Sequence, residues 1–345
     1  MVTRRSFLGL TAAALVNLKA AADNNLKDAD DNKLYLGTYG DGIGLATYDA
    51  TGKITSTGKL TGVADPSFLI RAGNFLYAVN EQDAGAVTAI DVAGNPRVLN
   101  RQPNNGSGPC HLAKVGNYLL SANYGSGDIA VHPINADGSL GQQTDLVKHE
   151  GAQPHAHQVV QVGDYVLGVD LGTDSIYTYT LADGKLTLQH QAKLTAGAGP
   201  RHLAFHPSGH YAYVADELDS TITICTYACG VITPQTSLPT APPGGPQNYP
   251  GEVVVDADGN FVYLTNRGHN SIAIFRTTGT GLELIGTPSC GGDWPRHCAL
   301  DPTGNLLFVA NQKSNNVTTF AVDRSTGGLT QTSSFSAPTP VCVNV

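Results

Sequence analysis

The sequence predicts an all-β fold: a seven-bladed β-propeller, four antiparallel strands per blade, with the last blade closed by both termini. Three observations predict it. A unit of about 45 residues repeats along the chain, each unit alternates apolar and polar residues, and one unit is split between the two ends.

Seven prolines open similar segments: Pro66, Pro109, Pro154, Pro200, Pro250, Pro295 and Pro340, at intervals of 43, 45, 46, 50, 45 and 45 residues. An apolar alternating strand follows each proline, as in HLAKV, RHLAF, EVVVD and RHCAL. A Gly-containing turn (VGNY, PSGHY, ADGNF, PTGNL) leads to a second strand: YLLSAN, YAYVAD, FVYLTN, LFVAN. The third strand is DIAVHPI, SIYTYTL, TITICTY, SIAIFR or VTTFAV. The fourth is short and follows another Gly turn: DGSLGQQ, DGKLTLQ, TGLELIG, TGGLTQT. The interval of 50 comes from PTAPPGGPQNY, residues 239–249, which reads as an extended loop between two blades.

After Pro340 only a first strand remains, VCVNV. The missing strands stand at the other end, as KLYLGTY, GLATYDA and KITSTGKL. Pairing them gives one blade from both termini and leaves no open sheet edge at the seam. The repeat domain therefore runs over residues 33–345, with no linker inside it.

Composition sets the outer limits. The net charge is −8, and residues 1–22 carry Arg4, Arg5 and Lys19 without an acid, so the body alone stands at −8 − 3 = −11. Few cations in an acidic body exclude nucleic-acid binding and disfavour anionic membranes, since both need clustered Lys and Arg. Thr3-Arg4-Arg5-Ser6-Phe7-Leu8, a mildly apolar run from Gly9 to Leu18 and then Ala20-Ala21-Ala22 read as a twin-arginine-type signal peptide over 1–22. That run is too short and Ala-rich to span a bilayer. The expectation is an exported, periplasmic monomer with no stable membrane insertion once the signal is cut. Six cysteines suit an oxidising compartment. Cys225 and Cys229 are spaced to close a hairpin; Cys110, Cys298 and Cys342 fall on apolar strands as buried thiols. No His/Cys spacing points to zinc.

The first two strands of a blade form a hairpin, so the residues after each proline and those ending the second strand share one end of it. Since the first strand lines the channel, both columns surround one channel mouth. After the prolines stand Cys110-His111, His155-Ala156-His157, Arg201-His202, Gly251-Glu252 and Arg296-His297. At the second-strand ends stand Asn80-Glu81, Asn123-Tyr124, Asp170-Leu171, Asp216-Glu217, Asn266-Arg267 and Asn311-Gln312. The recurrent Asn80, Asn123, Asn266 and Asn311, with Asp170 and Asp216, read as staples between blades, since buried amides must find partners. His202 and His297 repeat in register and read as packing. Residues that break the repeat are the functional candidates: Glu81, His155, His157, Arg201, Glu217, Glu252, Arg267 and Arg296. Trp294 and Tyr249, each before a blade-opening proline, read as walls of the same pocket.

Five stretches in order, GPCHLAKVGNYLLSANYGSGDIAVHPI, PHAHQVV with VDLGTDSIYTY, GAGPRHLAFHPSGHYAYVADELDSTITI, GEVVVDADGNFVYLTNRGHNSIAIF and WPRHCALDPTGNLLFVANQKSNNVTTF, resemble the seven-bladed lactonase family. It includes propeller-type 6-phosphogluconolactonases and fungal carboxy-muconate cyclases. The resemblance covers residues 33–345. Carried over by motif, it implies catalytic roles for Arg201 in GPRH, Glu217 in ADEL and Arg267 in TNRG. It also implies one for a histidine of PHAH, His155 or His157. Glu81, His111, Glu252 and Arg296 are expected to bind substrate. The implied activity is hydrolysis of a sugar lactone, with no cofactor and no metal. Export and the lack of a phosphate cradle point to a substrate without phosphate. A muconate-type lactonising cyclase and a non-catalytic surface propeller are the alternatives.

Overall fold

The structure, a computed structural model, describes residues 32–345; among them 28 strands form seven four-stranded antiparallel sheets. Residues 1–22, read as a signal, lie outside the described residues. Each sheet is one blade, numbered here 1 to 7 from the unit of Pro66 to that of Pro340. In blade 7 the C-terminal strand Pro340–Asn344 is innermost, followed outward by Lys33–Thr38, Asp41–Tyr48 and Ile54–Ala64. The clasp pairs Tyr35 with Asn344, Leu36 with Val343, Gly37 with Cys342 and Thr38 with Pro340.

Alternation decides where the core lies. A blade has two apolar faces, and each packs on a neighbouring blade. Blade 4 thus sets Tyr213, Ala215, Ile222 and Ile224 against Val253, Val262, Leu264 and Phe275 of blade 5. The seam is no different: Leu36, Tyr48 and Val343 pack on Phe308 and Val317, and Tyr35, Ile43 and Cys342 on Leu69 and Ile90. Blade-on-blade burial, repeated round the ring, holds the domain together.

The column of amides and carboxylates at the second-strand ends fastens the blades. Asn80 Nδ2 donates to the Ala64 carbonyl of blade 7 at 2.7 Å. Asn123 accepts from Asn104, which follows the outer strand of blade 1. Asp170 holds His149 Nδ1 at 2.6 Å, and Asn266 Nδ2 donates to the Thr240 carbonyl at 2.8 Å. Asn311 Nδ2 lies 3.5 Å from the Cys290 carbonyl. Each reaches the end of the preceding blade. Asp216 is the exception, since Thr221 and Thr223 of its own blade donate to it at 3.1 and 2.5 Å.

That exception leads to a prediction. Burial pushes the Asp216 carboxyl up to about 7, and its Oδ1 has no hydrogen-bond partner. A raised carboxylate costs nothing below its unfolded pKa, near 4; the cost grows as pH rises to the folded value and is full above it. Asp216→Asn installs the amide that serves at four equivalent positions. It is expected to stabilise the domain at pH 8 by up to about 4 kcal/mol, since each tenfold change in proton affinity is worth roughly 1.4 kcal/mol. The gain should vanish toward pH 4. Urea unfolding at pH 4.5 and 8 checks it; an equal effect at both values would mean that charge is not the cause.

Two sequence expectations are corrected. The fourth strand of blade 2 is Asp145–Lys148, not DGSLGQQ, where Ile134 and Leu140 form only an isolated bridge. Here the turn is enlarged and the outer strand displaced along the chain. Nor do Cys225 and Cys229 bond; among the described residues all six cysteines are free. Cys225 points into the core between blades 3 and 4, whereas Cys229 is exposed in a turn at φ 48°.

Candidate active site

The innermost strands do not run regularly. Pro109, Ala156, Pro200, Pro250 and Pro295 pair with Asn123, Asp170, Asp216, Asn266 and Asn311, and a register shift follows at once. Such a bulge leaves one residue without a ladder partner and re-aims its side chain. The residues thus set out are Cys110, His157, Arg201 and Arg296; in blade 5 the shift is wider and leaves both Gly251 and Glu252 outside the ladder. A second ring follows the staples: Tyr39, Glu81, Tyr124, Glu217 and Arg267.

The two rings meet in a charged cluster. Glu217 Oε2 receives Arg267 Nη2 at 2.7 Å and faces Arg201 Nε at 3.3 Å. Backbone carbonyls complete the arginines: Arg201 Nη1 donates to Gly251 at 3.0 Å, Arg267 Nε to Tyr249 at 3.0 Å and Arg267 Nη2 to Pro250 at 2.9 Å. Both arginines are 3% exposed. Across the mouth Tyr39 donates to Glu81 Oε1 at 3.0 Å, and the Arg296 guanidinium lies 5.5 Å from the Tyr39 ring centre. Glu81 Oε2 is buried without a hydrogen-bond partner.

The charges agree with this packing. Burial, with repulsion from Arg267 and Arg296, brings Arg201 down to about 9, so it stays cationic at neutral pH. Burial works against the Glu217 anion, but Arg267 and Arg201 outweigh it and hold the carboxyl below its usual range. Burial pushes the Tyr39 phenol and the Cys110 thiol well up, so both keep their protons. His157 is held neutral by burial and then by Arg201; its Nδ1 lies 3.9 Å from Cys110 Sγ.

The candidates separate by depth. Arg201, Glu217, Arg267, Arg296 and Glu81 come together at the mouth, with His157 beside them. His155 stands further out, stacked on Tyr124 at 4.4 Å, with Nδ1 2.8 Å from the Tyr124 carbonyl. A carbonyl only accepts, so Nδ1 carries the proton and Nε2 is left with a lone pair. His111 and Glu252 lie one layer down. Glu252 Oε2 takes His202 Nδ1 at 2.9 Å and His297 Nε2 at 3.3 Å. His111 packs on Phe68 at 4.0 Å and on His202 at 5.1 Å. From the other end of the channel a pocket walled by Phe68, Ile70, Val254 and Leu300 reaches Glu252 and His297.

Two mouth residues were missed. Tyr39 follows Thr38 as Glu81 follows Asn80; reading the column through the split blade would have found it. Tyr124 stood in the column unselected, and its phenol feels Glu217, Arg267 and Arg296. Asn123 and Asp170, which stand in the same columns, are committed to staples. Among the described residues no group of three His, Cys, Asp or Glu is gathered to hold a metal ion.

A family model described as lactonase, 7-bladed β-propeller, matches residues 33–345. The chain belongs to this seven-bladed β-propeller lactonase family. Lactonases hydrolyse cyclic esters, so this propeller is grouped with carboxylic-ester hydrolases. It is 36% identical over 337 residues to a Bacillus subtilis 6-phosphogluconolactonase, covering 90% of this chain and 97% of that one. A Lactobacillus plantarum protein of known structure is 34% identical, with a TM-score of 0.86 over 90% of this chain and 98% of that one. A periplasmic gluconolactonase from Pseudomonas aeruginosa is 26% identical, with a TM-score of 0.86 over 91% and 98%. Among the described residues no helix of this lactonase-family propeller is long and apolar enough to cross a membrane.

Proposed function

We propose that the chain is an exported lactonase that opens a sugar lactone without phosphate, of the glucono-1,5-lactone kind, at the channel mouth. The observation that carries this reading is the clamp in which Arg201 and Arg267 share one oxygen of Glu217. It fixes two guanidinium groups in advance, beside a mouth where a carbonyl oxygen would gain charge. In this reading Arg201 donates to that oxygen. His155 Nε2 takes a proton from water, the water oxygen bonds to the carbonyl carbon, and the ring C–O bond breaks. The proton then passes to the departing ring oxygen, giving a hydroxy acid. Glu217 orients the arginines, its charge being already shared between them. Tyr39 and Glu81 meet substrate hydroxyls, with Arg296 beside them.

Charge supports a neutral substrate. Three arginines at the mouth face Glu81 and Glu217, an excess of one positive charge, and Glu252 lies one layer below. One negative charge develops as a lactone opens; a phosphate dianion asks for more cations than this mouth provides.

The test is hydrolysis of an aldonolactone panel, with and without 6-phosphate, by the purified chain. Faster opening of the phosphorylated members would reverse the substrate assignment. The panel includes cis,cis-muconate, because the Arg296 guanidinium lies over Tyr39 and not on a carboxylate, and so suits a diacid. If no lactone opens and muconate cyclises, the cyclase reading replaces this one.

His155→Gln is expected to lower kcat by about 10²-fold, the usual worth of a general base. His157→Gln should cost less, since burial and Arg201 disfavour protonation of its ring, which makes it a weak base, and its Nδ1 is turned to Cys110. A larger loss in the second variant would exchange their roles. For export, Arg4→Lys with Arg5→Lys is expected to strand the protein in the cytoplasm, because the twin-arginine route reads the pair itself. Fractionation that finds the double variant in the periplasm would argue for another route.

A further inference from the structure

We propose that Trp294 is a platform on which the substrate ring lies, and that it selects a six-membered, sugar-type ring with an apolar face. The identity of that ring rests on the lactonase reading above; the platform itself rests on geometry.

The chain turns sharply just before most innermost strands. Five of the seven residues that precede a blade-opening proline have positive φ: Asp65 (44°), Gly108 (58°), Gly199 (64°), Trp294 (64°) and Thr339 (38°). Glycine is the natural occupant of such a position. A bulky aromatic there is an outlier, and backbone strain of this kind collects at ligand clamps and active sites.

The surroundings hold the strain in place. Asn270 Oδ1 accepts from the Trp294 amide at 2.9 Å, and Asn270 Nδ2 donates to Asp293 at 2.7 Å. The Gln312 amide donates to the Trp294 carbonyl at 3.0 Å. In blade 4 the equivalent site is closed, since a Cβ on Gly199 would collide with Leu218 Cγ. In blade 6 the residue matching Leu218 is Lys313, and space is given to an indole instead.

That indole is half-buried at the rim. Tyr249 meets it at 5.7 Å and 48°, and the Arg267 guanidinium lies 5.8 Å from its centre. It therefore adjoins the arginine clamp. Lys313 Nζ sits 3.3 Å from the ring centre. A π face that accepts an ammonium also accepts the electropositive C–H groups on one side of a sugar ring. Lys313 is exposed, so an arriving ring can displace its ammonium into water.

Trp294 is the one tryptophan in the chain, so its emission reports on this site alone. Titrating the full chain with the δ-lactam analogue of glucono-1,5-lactone is expected to give a saturable emission change. Trp294→Gly is expected to raise KM for the lactone at least tenfold, with kcat within threefold and Tm equal to or above the parent. Trp294→Phe should restore most of the affinity. A parental KM in the glycine variant would overturn the platform. So would a fall in Tm with kcat and KM both impaired, which would make the indole a packing residue. If the parent opens no lactone, the hydrolase reading fails while the titration still decides the platform: a saturable response keeps it and a flat one removes it. Turnover with flat emission removes the platform alone.

Discussion

Arg201→Ala is expected to lower kcat for lactone opening by about 10²–10³, the cost of one preorganised donor at a developing oxyanion. Arg201 is suited to that task because the fold leaves it little else to do. Its Nε faces Glu217 at 3.3 Å and its Nη1 is bound to the Gly251 carbonyl, so its remaining N–H groups are free for a ligand. Arg267 is bound more fully, to Glu217 and to two backbone carbonyls, so Arg267→Ala is expected to loosen the clamp and lower stability as well. Steady-state kinetics of the two variants separates the roles. If Arg201→Ala raises KM and spares kcat, Arg201 binds ground state and transition state alike and the oxyanion partner lies elsewhere.

Deleting residues 339–345 is expected to lower Tm by about 10 °C or more. The deletion removes the innermost strand of blade 7 and with it Val341, Cys342 and Val343, at 2, 1 and 1% exposure. Two buried valines alone are worth roughly 4 kcal/mol, against a total stability of about 5–15 kcal/mol for most domains. The loss also uncovers the edge of Lys33–Thr38, which would otherwise pair four residues of the clasp. Adding the missing heptapeptide in trans should recover part of the loss. An unchanged Tm would mean that the ring is held by its blade-on-blade packing without the clasp.

The repeat was legible in the sequence because each blade spells its strands with the same alternation and the same turns. The staples were legible too, since an amide that recurs where apolar residues surround it must be bonded. Positions that break a repeat show up only where the repeat is read in full. Tyr39 escaped because its column continues into the blade that the two ends share. Depth was not legible: His111 and Arg201 stand within two residues of a blade-opening proline, but the bulge takes in Arg201 and Cys110 and leaves His111 in the ladder. Cys110, His157, Arg201 and Arg296 are therefore turned to the mouth, and His111, His202 and His297 to the layer beneath. Nothing in the residue types announces that extra residue. Nor did spacing alone tell that Cys225 faces the core while Cys229 does not.

The bulges divide the labour of the chain in a way that bears on its history. The innermost strands of blades 2, 3, 4 and 6 each set out one side chain that takes no part in the ladder, and the staple opposite holds the backbone beside it. Cys110, His157, Arg201 and Arg296 span thiol, imidazole and guanidinium on one backbone motif, whereas at Gly251 in blade 5 a Cβ would meet Thr265 Oγ1 at 2.6 Å. A lineage can therefore retune what the mouth recognises one blade at a time, with little penalty to folding. Relatives that share the ring and the arginine clamp should differ at Cys110, His157 and Arg296, and grafting one relative's set onto another should transfer preference for substrate while leaving the melting behaviour of the recipient.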